Sequence, residues 1–353
     1  MPTSVIGKIV VDRLQLINEQ GEADASRLTH LPESVYNKFF ETITLARLYN
    51  QRALSLQREG RLGTYASILG QEASQVGSAL AFDPSDWIIP SFRESGMLIA
   101  MGYPMHLLYR YWMGDERGMS CPEGLNILPM CVPVGSQLTH SVGVGMGIKH
   151  RGEKKAVGVY FGDGASSRGD FHEGLNLAGV FKLPIVFLCQ NNQWAISVPR
   201  SAQSAGATIA ERAFSYGFEG IQVDGNDIVA VYKATKDAVD KAKDNNGPTL
   251  IECFTYRLDD HTTSDDASRY RSKDEVESWK AKEPLIRLRL FMEKKGLWSK
   301  AYEDEVIKKA SEAVDAAIKE AEGFSQPQAV DMIRFTNKDL SLRQKRELEE
   351  LER

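Results

Sequence analysis

Between Lys155 and Tyr256, short apolar runs alternate with stretches of helical period. The runs "KAVGVYF", "PIVFLCQ", "FEGIQVDG" and "PTLIECFTY" predict strands, and the intervening "GDFHEGLNLAGVF", "ATIAERAFSYG" and "DIVAVYKATKDAVDKAKD" predict helices. Strands that read as near-continuous apolar runs, each followed by a helix, imply a parallel sheet covered on both sides. The fold class is therefore α/β, a mainly parallel sheet with helices on both faces. Upstream, Val35, Phe39, Ile43, Ala46 and Tyr49 recur at helical spacing and predict a long helix from Pro32. "QEASQVGSALAF" predicts a helix of small residues and "DWIIP" a short buried strand. Downstream, Tyr302, Val306, Ala310, Val314, Ala317 and Ala321 form one stripe of an amphipathic helix that ends at Gly323. "VIGKIV" and the polar stretch to Leu31 predict an arm with no core element. The organisation expected is thus an arm over residues 1–31 and a single α/β domain with a C-terminal helical extension over 32–353.

Composition narrows the function classes. The chain has 353 residues, 43 basic and 48 acidic, for a net charge of −5. Its basic residues are scattered, which argues against nucleic acid as a partner. No apolar run approaches the ~20 residues needed to span a bilayer, so no membrane association is expected. Asp12, Glu19, Glu22 and Asp24 do not fit a secretory or transit peptide. Cys121, Cys131, Cys189 and Cys253 form no CxxC pair, and buried free thiols in the cytoplasm are the expectation.

The chemistry lies in "GDGASSRGDFHEGLNLAGVFKLPIVFLCQNN", Gly162 to Asn192. Gly-Asp-Gly follows one predicted strand and Asn-Asn follows the next, so both fall on the carboxyl rim of the sheet, where open α/β sheets bind ligands. Asp163 and Asn192 are then neighbours in space. Each half alone is an ordinary turn. Together they offer a hard-oxygen set that, with a main-chain carbonyl, suits Mg2+ bridged to a diphosphate. The glycines beside Asp163 allow backbone amides to approach phosphate closely.

A GDG closed by NN at this distance resembles the thiamine diphosphate motif. From about Leu62 to Ser272, through "GTYASILGQEASQVGSALA", "PSFRESG", "QNNQWAISVP" and "HTTSDDASRYRS", the chain is similar to the alpha subunit of the heteromeric 2-oxo acid dehydrogenase decarboxylating component. The resemblance implies thiamine diphosphate and Mg2+ as cofactors. It implies Asp163, Asn192 and the main-chain oxygen of Trp194 as metal ligands, with Gly164 and Ala165 touching the diphosphate through their amides. Arg93 would contact the diphosphate, Phe92 would stand where relatives carry tyrosine, and Val134 would be an apolar contact to the aminopyrimidine. Gln190 joins the cofactor-binding set. His261 would lie near the reacting carbon as a catalytic residue alongside Arg93. Ser136 and Gln137 correspond to a segment that binds potassium in some relatives, although Cys131 and Val132 replace hydroxyl residues there. Thr262 and Ser272 align with phosphorylated positions of some relatives, whereas His140 and His172 are read as structural.

The activating glutamate of such enzymes belongs to a second domain, and too little chain remains to build one. The resemblance therefore implies a beta subunit in a two-plus-two heterotetramer, and a lipoyl acyltransferase that receives the acyl group. "HTTSDDASRYRS" leans toward a branched-chain 2-oxo acid such as 3-methyl-2-oxobutanoate, with pyruvate the alternative. Distant alternatives are a non-catalytic binding module and an NAD-dependent oxidoreductase. The latter would use "GVGMGIKHRG", although this run precedes its strand instead of following one.

Overall fold

A computed structural model describes residues 3–4, 9–23, 28 and 31–353. Its strands, in chain order, are β1 (Arg13–Leu14), β2 (Trp87–Ile89), β3 (Asn126–Ile127), β4 (Val157–Gly162), β5 (Ile185–Asn191), β6 (Trp194–Ala195), β7 (Val198–Pro199), β8 (Glu219–Asp224) and β9 (Thr249–Phe254). Helices α1 (Glu33–Arg58), α2 (Glu72–Ala79), α3 (Ser95–Ala100), α4 (Met105–Trp112), α5 (Ser136–Arg151), α6 (Gly169–Phe181), α7 (Arg200–Gln203) and α8 (Ile228–Lys243) are interleaved with them. After the sheet come α9 (Lys273–Lys280), α10 (Pro284–Lys294), α11 (Lys300–Glu322), α12 (Asp331–Arg334) and α13 (Leu342–Leu351).

Seven strands form one parallel sheet in the order β1-β8-β9-β5-β4-β2-β3, and β6 and β7 form a separate antiparallel ribbon. The period-2 alternation of a strand divides the central pair between two cores. Tyr160, Val186 and Leu188 face the side covered by α1, α2 and α8. Val157, Val159, Phe161, Ile185, Phe187 and Cys189 face the side where Leu138 and Val142 of α5 meet Phe171 and Leu175 of α6. This cover on both faces is why β4 is apolar throughout and β5 is apolar up to Gln190 and Asn191 at its carboxyl end.

Several expectations are corrected. The segment read as an arm contributes an edge strand, because β1 pairs with β8, and Leu16 and Ile17 are buried. Polar residues around that strand hid it, and the pairing is secured from afar. Asp227, which caps α8 through Oδ1, uses Oδ2 to accept from the amides of Leu16 and Ile17 at 2.7 and 2.6 Å. Most of "VIGKIV" lies outside the described residues. Of "ATIAERAFSYG", Ala210–Tyr216 is a 3-10 helix, tighter than the α-helix its spacing suggests. Gly323 follows α11 in a right-handed conformation, so the left-handed glycine cap is absent there. The stripe on α11 is buried as expected, from Val306 to Ala321.

The rim matters most. Register pairs Gly162 with Gln190 and Asn191 with Phe254. The residues that leave β4, β5 and β9 at their carboxyl ends (Asp163, Asn192, Arg257) therefore enter the same region.

Candidate active site

A cavity of about 550 Å³ opens at that rim, and every sequence-predicted site residue from Phe92 and Arg93 through to His261 lines it. Asp163 opens the 3-10 turn Asp163–Ser167 directly after β4 and is 2% exposed. Its Oδ2 accepts from Gln203 Nε2 at 3.2 Å, while Oδ1 is buried with no partner among the described residues. Burial pushes this carboxyl up to about 6. Asn192 is buried too. Its Oδ1 accepts from the Trp194 amide at 3.2 Å and its Nδ2 donates to Gln71 Oε1 at 2.9 Å. Between them, Gln193 and Ile196 hold left-handed conformations (φ 73° and 55°), so the turn that carries the Trp194 carbonyl is sharply folded. Gly164 faces that turn, and a Cβ placed on it would lie 2.8 Å from Ala195 Cβ.

An orphaned carboxylate oxygen, a carboxamide oxygen and a main-chain carbonyl are hard donors suited to a divalent ion such as Mg2+. A buried acceptor with no partner costs free energy unless something fills its lone pairs, and a cation would do so. Among the described residues no three His, Cys, Asp or Glu side chains gather as a metal cluster, so an ion here would rely on this mixed set. Gln190 does not contact these atoms. It donates to Glu94 Oε1 at 2.6 Å and accepts from Gln75 Nε2 at 3.0 Å.

On the opposite wall, Arg93 is 6% exposed and its guanidinium does not pair with Glu94. Nη1 donates to the Ser67 carbonyl and Nη2 to the His261 carbonyl, both at 2.8 Å. The His261 ring nitrogen Nδ1 lies 3.1 Å from Arg93 Nη2 and 3.2 Å from Arg257 Nη1. A guanidinium cannot accept, so Nδ1 must, which makes the ring neutral with its proton on Nε2. Burial first, then the charges of Arg93 and Arg257, push His261 down to about 3. Phe92 sets its ring edge-on to the imidazole at 5.9 Å between centroids.

Comparison with known sequences decides the family. A family described as "Dehydrogenase E1 component" matches residues 41–330. The chain belongs to the dehydrogenase E1 component family. A relative from Staphylococcus aureus (strain Mu50), named pyruvate dehydrogenase E1 component subunit alpha, is 41% identical over 331 residues, 93% of this chain and 90% of its own. Proteins of the same name from Bacillus cereus and Bacillus subtilis are 41% and 40% identical, each covering 91% of this chain and 87% of their own.

Within this E1 chain, the residues proposed for potassium serve the local backbone. Gln137 accepts from the Gly135 amide at 3.1 Å and donates to the Tyr160 carbonyl at 3.0 Å, and Ser136 donates to the Pro133 carbonyl at 2.9 Å. Thr262 lines the cavity, whereas Ser272 caps α9 by accepting from the Glu275 amide at 3.2 Å. His172 meets the Tyr216 hydroxyl at 2.6 Å and His140 is exposed. "GVGMGIKHRG" lies within and just past α5, not in a strand-to-helix turn, which removes the dinucleotide reading. The cysteines are free, but only Cys189 and Cys253 are buried; Cys121 is exposed and Cys131 half-buried, contrary to expectation.

Sequence reasoning missed Arg257, which leaves β9 fully buried and contacts His261, the Trp194 carbonyl at 3.2 Å and the Ile196 carbonyl at 2.9 Å. Its signal was its place directly after a predicted strand on the ligand-binding rim. Glu94 was also missed. It accepts from the Arg93 amide at 3.1 Å, and burial pushes it up to about 7.

Proposed function

We propose that this E1 chain is the alpha subunit of a thiamine diphosphate- and Mg2+-dependent 2-oxo acid dehydrogenase that oxidatively decarboxylates pyruvate. The observation that carries the cofactor assignment is the orphaned Oδ1 of Asp163, at a strand end, in a cavity that Asn192 and Trp194 also line. In this reading Asp163 Oδ1, Asn192 Oδ1 and the Trp194 carbonyl hold the ion. The amides of Gly164 and Ala165 hold the diphosphate, and Arg93 offers it positive charge and the N–H groups that Ser67 and His261 leave free. Val134 and Phe92 give the cofactor an apolar wall. Bound thiamine diphosphate supplies the electron sink that lets a 2-oxo acid lose carbon dioxide. His261 keeps its proton at Nε2 through neutral pH, so it donates a hydrogen bond to an oxygen of the bound substrate without competing as a base. Arg257 and Arg93 hold it in that tautomer.

The names of the relatives favour pyruvate over the branched-chain acid that "HTTSDDASRYRS" suggested. The cavity lacks an acidic group placed for the activating role against an aminopyrimidine: Glu94 is already engaged by Arg93 and Gln190. A beta subunit would provide that glutamate in a heterotetramer, and a lipoyl acyltransferase would accept the acyl group. Four free cysteines suit a reducing compartment such as the cytoplasm, and no helix among the described residues is long and apolar enough to cross a membrane.

The test is a decarboxylation assay on the chain co-purified with its beta partner, with an artificial electron acceptor, comparing pyruvate with 3-methyl-2-oxobutanoate. A kcat/KM at least tenfold higher for pyruvate, equivalent to ~1.4 kcal/mol, is expected. The reverse preference would restore the branched-chain assignment, and no turnover of either acid would overturn the proposed function.

A further inference from the structure

The two side chains assigned to the ion are each anchored by a glutamine, Gln71 at the start of α2 and Gln203 at the end of α7. The orientation of the Asn192 carboxamide follows from one contact. The Trp194 amide donates to it at 3.2 Å, and an N–H can only donate to the oxygen. Nδ2 therefore points away, to Gln71 at 2.9 Å, and Gln71 must meet it with Oε1. Gln71 is 1% exposed, and its Nε2 has no partner among the described residues. The hydrogen bond to Asn192 is thus the contact this buried side chain makes, at the expense of leaving its own amine unpaired.

Gln203 does the converse for Asp163. Its Nε2 reaches two acceptors, Asp163 Oδ2 at 3.2 Å and the Val198 carbonyl at 3.4 Å, which fixes the amide orientation. With Oδ2 engaged, Oδ1 is the oxygen left free, and it is the one with no partner. An acceptor stands opposite the carboxamide and a donor opposite the carboxylate, and neither adds charge beside the ion.

We propose that Gln71 and Gln203 are positioning residues that present Asn192 Oδ1 and Asp163 Oδ1 to the divalent ion. The inference rests on reading the site as a metal–diphosphate site. Without Gln71 the carboxamide can turn its NH2 toward the cation. Without Gln203 the carboxylate can rotate its free oxygen out of line. Groups that orient ligands in this way set metal affinity nearly as much as the ligands do.

The experiment titrates Mg2+ into the metal-free alpha–beta complex at saturating thiamine diphosphate and follows cofactor binding by calorimetry. Gln71→Met and Gln203→Met should each raise the half-saturating Mg2+ concentration by ~10–100-fold, with the cofactor-free complex still folded at the temperature of the titration. Gln71→Glu keeps an acceptor for Asn192 Nδ2 and should restore half-saturation to within a few-fold of wild type. Gln203 is only half-buried, so its variant folds even if Gln71→Met does not. Wild-type Mg2+ dependence in the Met variants, or Gln71→Glu as weak as Gln71→Met, overturns the inference. A wild-type complex that binds the cofactor without Mg2+ overturns the site reading itself, and the glutamine roles with it.

Discussion

Adding one methyl group at Gly164 tests the geometry of the site more sharply than removing a ligand. A Cβ there would lie 2.8 Å from Ala195 Cβ, where carbon atoms normally rest ~3.5–4.0 Å apart. The turn after β4 and the ribbon strand β6 must therefore separate by about 1 Å. Neither side can give cheaply, because the opposing atom is an alanine Cβ fixed to a backbone already bent through left-handed residues at Gln193 and Ile196. Overpacking of this kind costs about 1–3 kcal/mol of stability. The functional cost is larger, because Asp163 sits on one side of the gap and the Trp194 carbonyl on the other. A misplacement of about 1 Å lowers kcat/KM by ~10²-fold. Gly164→Ala, purified with the beta partner, should show weakened Mg2+-dependent cofactor binding in calorimetry and a kcat/KM reduced on that scale. Ala195→Gly in the same chain removes the opposing methyl and should recover most of the loss. Wild-type binding by Gly164→Ala, or no recovery in the double variant, would refute the argument that these two segments jointly frame the ion.

Other consequences follow from the charges in the cavity. Asp163→Asn should abolish Mg2+-dependent cofactor binding while the cofactor-free complex melts no lower than wild type, since the variant no longer buries a carboxylate; a lower melting temperature would contradict this. His261→Asn should spare cofactor affinity and lower kcat. Because burial and two arginines hold His261 at about 3, the shape of the pH–rate profile between pH 5 and 8 should be the same in both proteins. A shifted acid limb in the variant would disprove the neutral assignment. Glu94 has its carboxyl raised by burial to about 7, against ~4.3 unperturbed. The folded state then keeps a proton that the unfolded chain releases, so this group's contribution is intact below ~4.3, lost as pH rises to about 7, and level beyond. Wild-type melting temperature should accordingly fall relative to Glu94→Gln between pH 5 and 7, and parallel curves would count against it.

The elements most legible in the sequence were those whose pattern is local. β4, α6 and β5 follow directly from "KAVGVYF", "GDFHEGLNLAGVF" and "PIVFLCQ", because strands buried on both faces must be apolar throughout and the helix between them must cover one face. Asp163 and Asn192 could be placed together for the same reason, as a parallel β-α-β unit returns the chain to the same rim. β1 and β3 were not legible, since two residues carry no period and their pairing depends on β8 and β2. The 3-10 helix at Ala210–Tyr216 depends on Glu252, whose buried carboxylate accepts from the amides of Ile209 and Ala210 at 2.8 and 3.0 Å from a distant strand. The anchors of the site were hidden in the same way. Gln71 and Asn192, or Arg257 and the Trp194 carbonyl, meet only through tertiary structure, and a glutamine in a helical motif looks like any other. The tautomer of His261 likewise needed the positions of both arginines.

The central claim is that Asp163, Asn192 and the Trp194 carbonyl hold a divalent ion that in turn holds thiamine diphosphate. Calorimetric titration of thiamine diphosphate into the metal-free alpha–beta complex, with and without Mg2+, tests it most directly. Saturable binding in Mg2+ that disappears in EDTA is the expected result. Equally tight binding in EDTA, or none in Mg2+, would contradict it.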